Sequence, residues 1–313
     1  RILEGKPQLE GLPATFADKE TATTLELTCV DNHIGMKVLL YYTAFCDTDV
    51  ITRSVKIINE GTQAFYLTKV LSACLDMDNQ DYEMISLHGS WARERHIQRK
   101  KVGYGIQKVS SFRGESSHQD HPFLALVSPS TTQEMGEVYA MNFVYSGNFQ
   151  AQAEVSQFDS IRMSMGIHPE NFCWKLEQGE SFEAPEVVMV YSSQGLDGMT
   201  TAFHHLYKRH LIRGEYKDKK RPILINNWEA TYFNFTTEKL LSIAKEASRL
   251  GIEMLVMDDG WFGARSSDNC ALGDWQVNEE KLPGGLKYLV DEVNKLGMKF
   301  GIWFEPEMIS QDS

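Results

Sequence analysis

Three short apolar runs, separated by two amphipathic stretches, constrain the fold of residues 221–306 more than any other feature. The runs start at Pro222, Ile252 and Met298. Between the first two, Leu240, Ile243, Ala244, Ala247 and Leu250 recur at helical spacing after Thr236, which suits an N-cap. Strands that alternate with amphipathic helices in this way indicate βαβ units and a parallel sheet.

Each apolar run becomes polar or aromatic where it ends. The first ends in Asn226, Asn227, Trp228 and Glu229, the second in Asp258, Asp259 and Trp261, and the third in Trp303, Glu305 and Glu307. In a (β/α)8 barrel the active site lies at this carboxyl-terminal face of the strands. Acids and amides here could instead cap the following helices, an alternative that the indoles do not fit. The pattern therefore favours an enzyme site.

The first half of the chain has the alternation of an antiparallel β-sandwich. Strands are expected at Leu25–Val30, Lys37–Ala44, Val50–Asn59, Phe65–Leu71, Phe123–Ser128, Glu137–Val144, Ala151–Phe158 and Val187–Ser192. Val50–Asn59 and Phe65–Leu71 are predicted to form a hairpin, and Ser146-Gly147-Asn148 has the composition of a hairpin turn. From composition alone, the basic stretch Trp91–Lys101 is interpreted as a solvated edge strand.

A helical pattern over 200–213, followed by Gly214 and a polar run, predicts a linking helix and a connector. The predicted organisation is a β-sandwich domain over 1–196, the linking helix and connector over 197–220, and the start of a barrel over 221–313.

Charge and cysteine content exclude several classes of function. The net charge is −12 and the pI is near 5.3, which disfavours nucleic acid and anionic membranes as partners. The five cysteines include no CxxC pair, so they are predicted to be buried free thiols of a cytoplasmic protein. No apolar run reaches the length of a membrane span. Asp258 and Asp259 lack a His or a third carboxylate at metal-ligand spacing, so neither a metal nor a cofactor is expected.

Several longer motifs resemble those of the α-galactosidases of glycoside hydrolase family 36. They are Asn226–Thr231, Met257–Gly263, Gly273–Trp275 and Trp303–Met308, with Trp91–His96 and Ser146–Phe149 in the β-rich half. The resemblance covers most of the chain. It implies retaining hydrolysis of terminal α-galactosyl groups of sugars such as melibiose and raffinose, in a homo-oligomer that is tetrameric in the family.

The resemblance also assigns roles to individual residues. Asp258 and Asp259 match the pair that grips galactose hydroxyls, and Trp228 and Trp303 match indoles of the sugar pocket. Trp91 matches a residue offered to the pocket of a neighbouring subunit, which replaces the edge-strand interpretation of its segment.

The motifs that carry the family's nucleophile and acid/base do not occur in the sequence. The chain is therefore expected to be a fragment that lacks the N-terminal start and most of the barrel, with no catalytic residue of its own and no hydrolytic activity alone. Two alternatives stay open for the parent protein, a non-catalytic galactoside-binding module and a galactosyltransferase of the raffinose-synthase type.

Overall fold

The computed structural model describes all residues, Arg1–Ser313, which form two compact units, Arg1–Arg213 and Gly214–Ser313. The strands of the first unit are β1 (Ile2–Glu4), β2 (Ala22–Asp31), β3 (Met36–Phe45), β4 (Val50–Asn59), β5 (Phe65–Leu67), β6 (Leu71–Asp78), β7 (Glu83–Ser90), β8 (Arg93–Lys101), β9 (Gly105–Ser111), β10 (Phe123–Val127), β11 (Val138–Phe143), β12 (Phe149–Val155), β13 (Ser160–Ile167), β14 (Trp174–Leu176), β15 (Ser181–Glu183) and β16 (Val187–Ser192). Helix α1 (Gly195–Leu206) and a π-helical turn, Tyr207–Leu211, complete the unit.

The first unit is an antiparallel β-sandwich. One sheet has the strand order β1-β2-β3-β4-β16-β11-β10-β7-β8, with β15 also paired to β4, and a second sheet has the order β12-β13-β6. Side chains of both sheets meet in one core, for example Leu126 and Met141 from the first sheet and Ala151 and Met163 from the second. The strand-rich first half is therefore confirmed.

The predicted hairpin between Val50–Asn59 and Phe65–Leu71 is wrong. Strand β4 pairs with β3 and β16, whereas β5 pairs with β14. The reason lies at Asn59, whose buried amide donates to the carbonyl oxygens of Gln63 and Leu176, both at 2.9 Å. These bonds turn the chain away from β4 and towards β14.

Ser146-Gly147-Asn148 does not form a hairpin turn either. It connects β11 to β12, which lie in different sheets, so it carries the chain across the sandwich. By contrast, Trp91–Lys101 does contain an edge strand, because β8 ends the ten-stranded sheet and every one of its residues is exposed.

Helix α1 begins at Gly195, earlier than the periodicity suggested, and is not a free linker. Its buried face, which includes Met199, Phe203 and Leu206, packs in one cluster with Phe45 and Val50 of the sandwich. The helix therefore belongs to the first unit.

The second unit contains three parallel strands, β17 (Leu224–Asn226), β18 (Met254–Met257) and β19 (Lys299–Ile302), in that order. Helices α2 (Trp228–Thr231) and α3 (Thr237–Arg249) follow β17, and α4 (Gly285–Lys295) follows the long loop after β18. Thr236 caps α3 by accepting the amide N–H of Lys239. Adjacent parallel strands with intervening helices are the arrangement with which a (β/α)8 barrel begins, as predicted.

The burial predicted for the thiols is wrong. Cys29, Cys46, Cys74 and Cys173 are exposed, and Cys270 is half-buried. Cys29 lies in the exposed second half of β2, and Cys74 lies at an outward position of β6, where alternation places every second side chain in solvent. No helix of the structure combines the length and apolar character needed to cross a bilayer.

Candidate functional site

The carboxyl ends of β17, β18 and β19 bring several of the predicted site residues to one edge of the parallel sheet, called here the strand-end site. Asp258 follows β18 directly, and its carboxylate accepts hydrogen bonds from the side-chain amide of Asn226 at 2.5 Å and from the backbone N–H of Asp259 at 2.7 Å. The side chain is half-buried. Asp258 is thus oriented by two donors and retains lone pairs for a ligand.

Two asparagines at the end of β17 hold this arrangement. Asn227 is fully buried, and its side-chain oxygen accepts the backbone N–H of Asp258 at 2.8 Å while its amide donates to Thr231 at 2.8 Å. The side-chain oxygen of Asn226 accepts the N–H of Trp228 at 2.7 Å. The amide-rich end of β17 therefore fixes both the neighbouring carboxylate and the start of α2.

Asp259 points into the protein and forms a buried ion pair with Arg265. The guanidinium Nη2 lies 2.7 Å from Oδ2, and Nε lies 3.0 Å from Oδ1, with the two side chains only 3% and 7% exposed. Hydrogen bonding to Asp259 raises the pKa of Arg265 further above its usual range. A role for Asp259 as a sugar ligand stays a prediction, since each carboxylate oxygen has a second lone pair.

Arg265 also organises the loop that follows β18. Its Nη1 donates to the carbonyl oxygens of Asp268 at 3.0 Å and Cys270 at 2.9 Å. The sequence analysis missed Arg265, although a lone basic residue in a loop that follows two aspartates was an available signal.

The Lys281 ammonium also holds the loop that follows β18. It donates to the carbonyl oxygens of Phe233, Gly260 and Arg265 at 2.9–3.0 Å, and burial lowers its pKa. Gly260 is required at its position, because its φ is +96° and a Cβ there would lie 2.9 Å from the Phe233 ring. The ammonium and the glycine together pin the loop against the residues that follow β17.

The two predicted pocket indoles follow the two outer strands of the sheet, Trp228 after β17 and Trp303 after β19. Trp228 makes edge contacts with Tyr232 and Phe233, and Trp303 lies 6.5 Å from Trp275 between ring centroids. The buried indole N–H of Trp261 donates to the carbonyl oxygen of Trp303 at 2.9 Å and so holds the end of β19. Trp228 and Trp303 are both half-buried, which leaves part of each ring available to a ligand.

Trp91 lies in the first unit, next to β8, and is 85% exposed. Its role in a sugar pocket stays a prediction. The strand-end site itself is an open face. A cleft of ≈ 670 Å³ is present in the chain, but it lies in the first unit and none of its walls comes from these strand ends.

Chemically, the strand-end site offers an oriented carboxylate, a buried ion pair beneath it and two partly exposed indoles. No group of three or more His, Cys, Asp or Glu side chains is placed to hold a metal ion. Carboxylates grip hydroxyls, and indole faces pack against the apolar C–H faces of sugar rings. The arrangement suits a neutral polyol.

Comparison with known families gives two matches that together cover nearly the whole chain. The profile described as "Glycosyl hydrolase family 36 N-terminal domain" matches residues 1–177, and the profile described as "Melibiase" matches residues 181–313.

Among curated proteins, the chain is 53% identical to alpha-galactosidase AgaA of Geobacillus stearothermophilus and 48% identical to alpha-galactosidase Mel36A of Lactobacillus acidophilus. Each alignment covers 100% of this chain and 43% of the relative. The chain thus spans less than half the length of these relatives.

Solved structures agree with this assignment. A crystal structure of AgaA from Geobacillus stearothermophilus matches with a TM-score of 0.95 at 53% identity, over 100% of this chain and 44% of that one. A substituted form of the same enzyme, solved in complex with raffinose, matches with a TM-score of 0.95 at 52% identity, again over 100% and 44%.

Proposed function

The chain belongs to glycoside hydrolase family 36, and from this membership we propose that it forms the substrate-gripping part of a retaining α-galactosidase. The substrates we propose are galactosides with a terminal non-reducing α-D-galactosyl residue, such as melibiose, raffinose and stachyose. Raffinose and stachyose are the sugars in complexes of the AgaA relative.

The observation that carries this proposal is the orientation of Asp258. Its carboxylate is held by Asn226 and by the Asp259 amide, at the same end of the parallel sheet as two half-buried indoles. We propose that Asp258 accepts hydrogen bonds from O4 and O6 of galactose while Trp228 and Trp303 contact the ring. Since O4 is axial in galactose and equatorial in glucose, a fixed acceptor discriminates between the two sugars.

Retaining hydrolysis needs a nucleophile and an acid/base about 5 Å apart. We assign neither role to a residue of this chain, which spans 43% of the relatives' length. The 313-residue polypeptide alone is therefore expected to bind galactosides without hydrolysing an aryl α-galactoside. Measurable hydrolysis of an aryl α-galactoside by the purified 313-residue chain would contradict this expectation.

Asp258→Asn in the full-length enzyme tests the assignment. The amide loses one acceptor and turns a donor towards Asn226, so KM should rise and kcat should fall. A hydrogen bond to a charged group contributes about 1.5–3 kcal/mol, so losing one lowers kcat/KM by about 10–150-fold. Asp291→Asn, on the exposed face of α4, is the matched control and should leave kcat/KM unchanged. An unchanged kcat/KM in Asp258→Asn removes the assignment.

We further propose a homo-oligomer in the cytoplasm, in which a second copy covers Trp91. Its support is the 85% exposure of this indole beside a wholly exposed edge strand. Trp91→Ala should weaken association in light scattering and raise KM, whereas Phe158→Ala, which removes another highly exposed ring, should do neither. A monomer at all concentrations would refute the proposal.

A further inference from the structure

The first unit contains a cleft of ≈ 670 Å³ that the proposed function does not use. Its walls come from the β11–β12 connection, from the segment that follows β13, and from β15, all within the sandwich. The volume lies within the range of small-molecule sites in proteins, roughly 300–1,000 Å³.

Three aromatic rings form one wall of the cleft. Trp174 and Phe182 lie 5.3 Å apart between ring centroids, and Phe172 and Phe182 lie 5.7 Å apart. Trp174 is 50% exposed although it is one of the largest side chains in the unit. A half-exposed indole held by neighbouring rings is the kind of platform on which the apolar face of a ring ligand packs.

The Ser146-Gly147-Asn148 connection builds the opposite side. Gly147 lies directly against the Tyr145 ring, since a Cβ at this position would be 2.6 Å from three atoms of that ring. Asn148 accepts the backbone N–H of Gly114 through Oδ1 at 2.6 Å, which leaves its amide N–H groups available. The crossover thus presents a phenol and an amide to the cleft.

The charges of the lining select against anions. Lys56 is the only Lys or Arg in the lining, and it is paired with Glu183 at 2.8 Å, while Glu10 and Glu170 add two further carboxylates. Carboxylates accept hydrogen bonds from hydroxyls and repel phosphates and acidic sugars. The lining therefore matches a ligand that is uncharged and rich in hydroxyls.

His168 contributes a buried imidazole to the wall. Its Nδ1 accepts the backbone N–H of Glu170 at 3.0 Å, so the neutral ring carries its proton on Nε2. That Nε2 is shielded from solvent and has no partner, and burial lowers the pKa of His168, which favours the neutral form. A buried donor without a partner is unfavourable, so His168 is a polar group that the sandwich itself does not satisfy.

We propose that this cleft is a second carbohydrate site, which binds a neutral saccharide by stacking on Trp174 and by hydrogen bonds to Tyr145, Asn148 and Glu183. The proposal rests on the cleft alone and does not depend on galactosidase activity. A sugar platform in the sandwich would hold a polysaccharide or an oligosaccharide on the enzyme independently of the strand-end site.

The test is calorimetric titration of the chain carrying Asp258→Asn, which disables the strand-end site. The probes are raffinose, maltotriose and xylotriose, with trigalacturonate as the anionic counterpart. We expect saturable binding of at least one neutral trisaccharide with a Kd of about 1 mM, and weaker binding of trigalacturonate. Trp174→Ala should weaken the binding about five- to tenfold, and Trp174→Phe should restore most of it.

Tyr66→Ala is the matched control, because Tyr66 is a similarly exposed aromatic residue on β5, the partner strand of β14, and does not line the cleft. A second readout needs no cleft variant: the bound trisaccharide should protect Trp174, and not Tyr66, from hydroxyl-radical oxidation. No saturable binding of any neutral probe, or an equal loss in Trp174→Ala and Tyr66→Ala, overturns the proposal. Binding that survives Asp258→Asn and is weakened by Trp174→Ala but not by Tyr66→Ala supports it even if the galactosidase assignment fails.

Discussion

Arg265, which the sequence motifs did not point to, holds the residues around the strand-end site in place. It neutralises the buried Asp259 and also donates to two carbonyl oxygens of the following loop. Removing one partner of a buried ion pair leaves the other charge uncompensated, which costs about 3–5 kcal/mol. The position of Asp258, which accepts the amide N–H of Asp259, depends on this pair.

Arg265→Ala should therefore destabilise the second unit by about 3–5 kcal/mol, and Arg265→Lys, which keeps the charge without the planar fork, should be less harmful. Denaturant unfolding followed by tryptophan fluorescence measures this, because four of the six tryptophans lie in the second unit. Arg249→Ala is the control, since its ion pair with Glu246 is exposed and contributes at most about 1 kcal/mol. Equal losses in Arg265→Ala and Arg249→Ala would show that the buried pair has no such role.

Cys270 offers a pH-dependent prediction. Hydrogen bonds from the Ser266 backbone and from Ser267 lower the pKa of its thiol to about 7. A lowered pKa means that thiolate, the reactive form, is already present at neutral pH and is lost as the pH falls below 7. The rate of iodoacetamide labelling at Cys270 should reach half its plateau near pH 7, with Cys29 as the comparator in the same sample. A Cys270 rate that still climbs steeply at alkaline pH contradicts the prediction.

At the scale of elements, the loop between β18 and α4 depends on Lys281. Methionine at this position keeps the length but leaves three carbonyl oxygens without their donor. Buried acceptors without partners cost about 1–3 kcal/mol each when fully desolvated, so Lys281→Met should destabilise the unit and speed amide exchange across 260–283. Lys239→Met removes one exposed bond to the Asn234 carbonyl and should do little. Unchanged exchange in Lys281→Met would show that the ammonium does not hold the loop.

The sequence predicted those elements that local pattern determines. Strand β4 has the predicted bounds, and the Thr236 cap of α3 is local chemistry. Pairing was less predictable, because Asn59 bonds to Leu176, a residue far along the chain, and this bond decides the partner of β5. The Ser146–Asn148 connection failed as a hairpin for the same reason: turn composition does not reveal which sheet the next strand joins.

For the strand-end site, the motifs predicted Asp258, Trp228 and Trp303 because parallel strand ends meet at one edge. They did not reveal that Asp259 turns inward, because the direction of its side chain depends on where the folded loop places Arg265. Residues that position others, such as Arg265 and Lys281, have no periodicity of their own. Their role can be recognised only from the folded loop, where their hydrogen-bond partners come together.

At the scale of the whole molecule, the parallel sheet of the second unit has two edge strands, β17 and β19. Strand β19 pairs with β18 and has no partner on its other side. Several apolar residues close in sequence to the two edge strands are exposed, namely Ile223, Leu224, Phe304 and Ile309. An uncovered apolar edge promotes pairing with another chain or local opening. Amides of Lys299–Ile302 should therefore exchange far faster than those of β11, which has a partner on both sides, unless a second copy covers the edge. In that case their protection should increase with protein concentration together with the mass from light scattering. The prediction would be wrong if the chain stayed a monomer at every concentration and the amides of β19 were protected from exchange as strongly as those of β11.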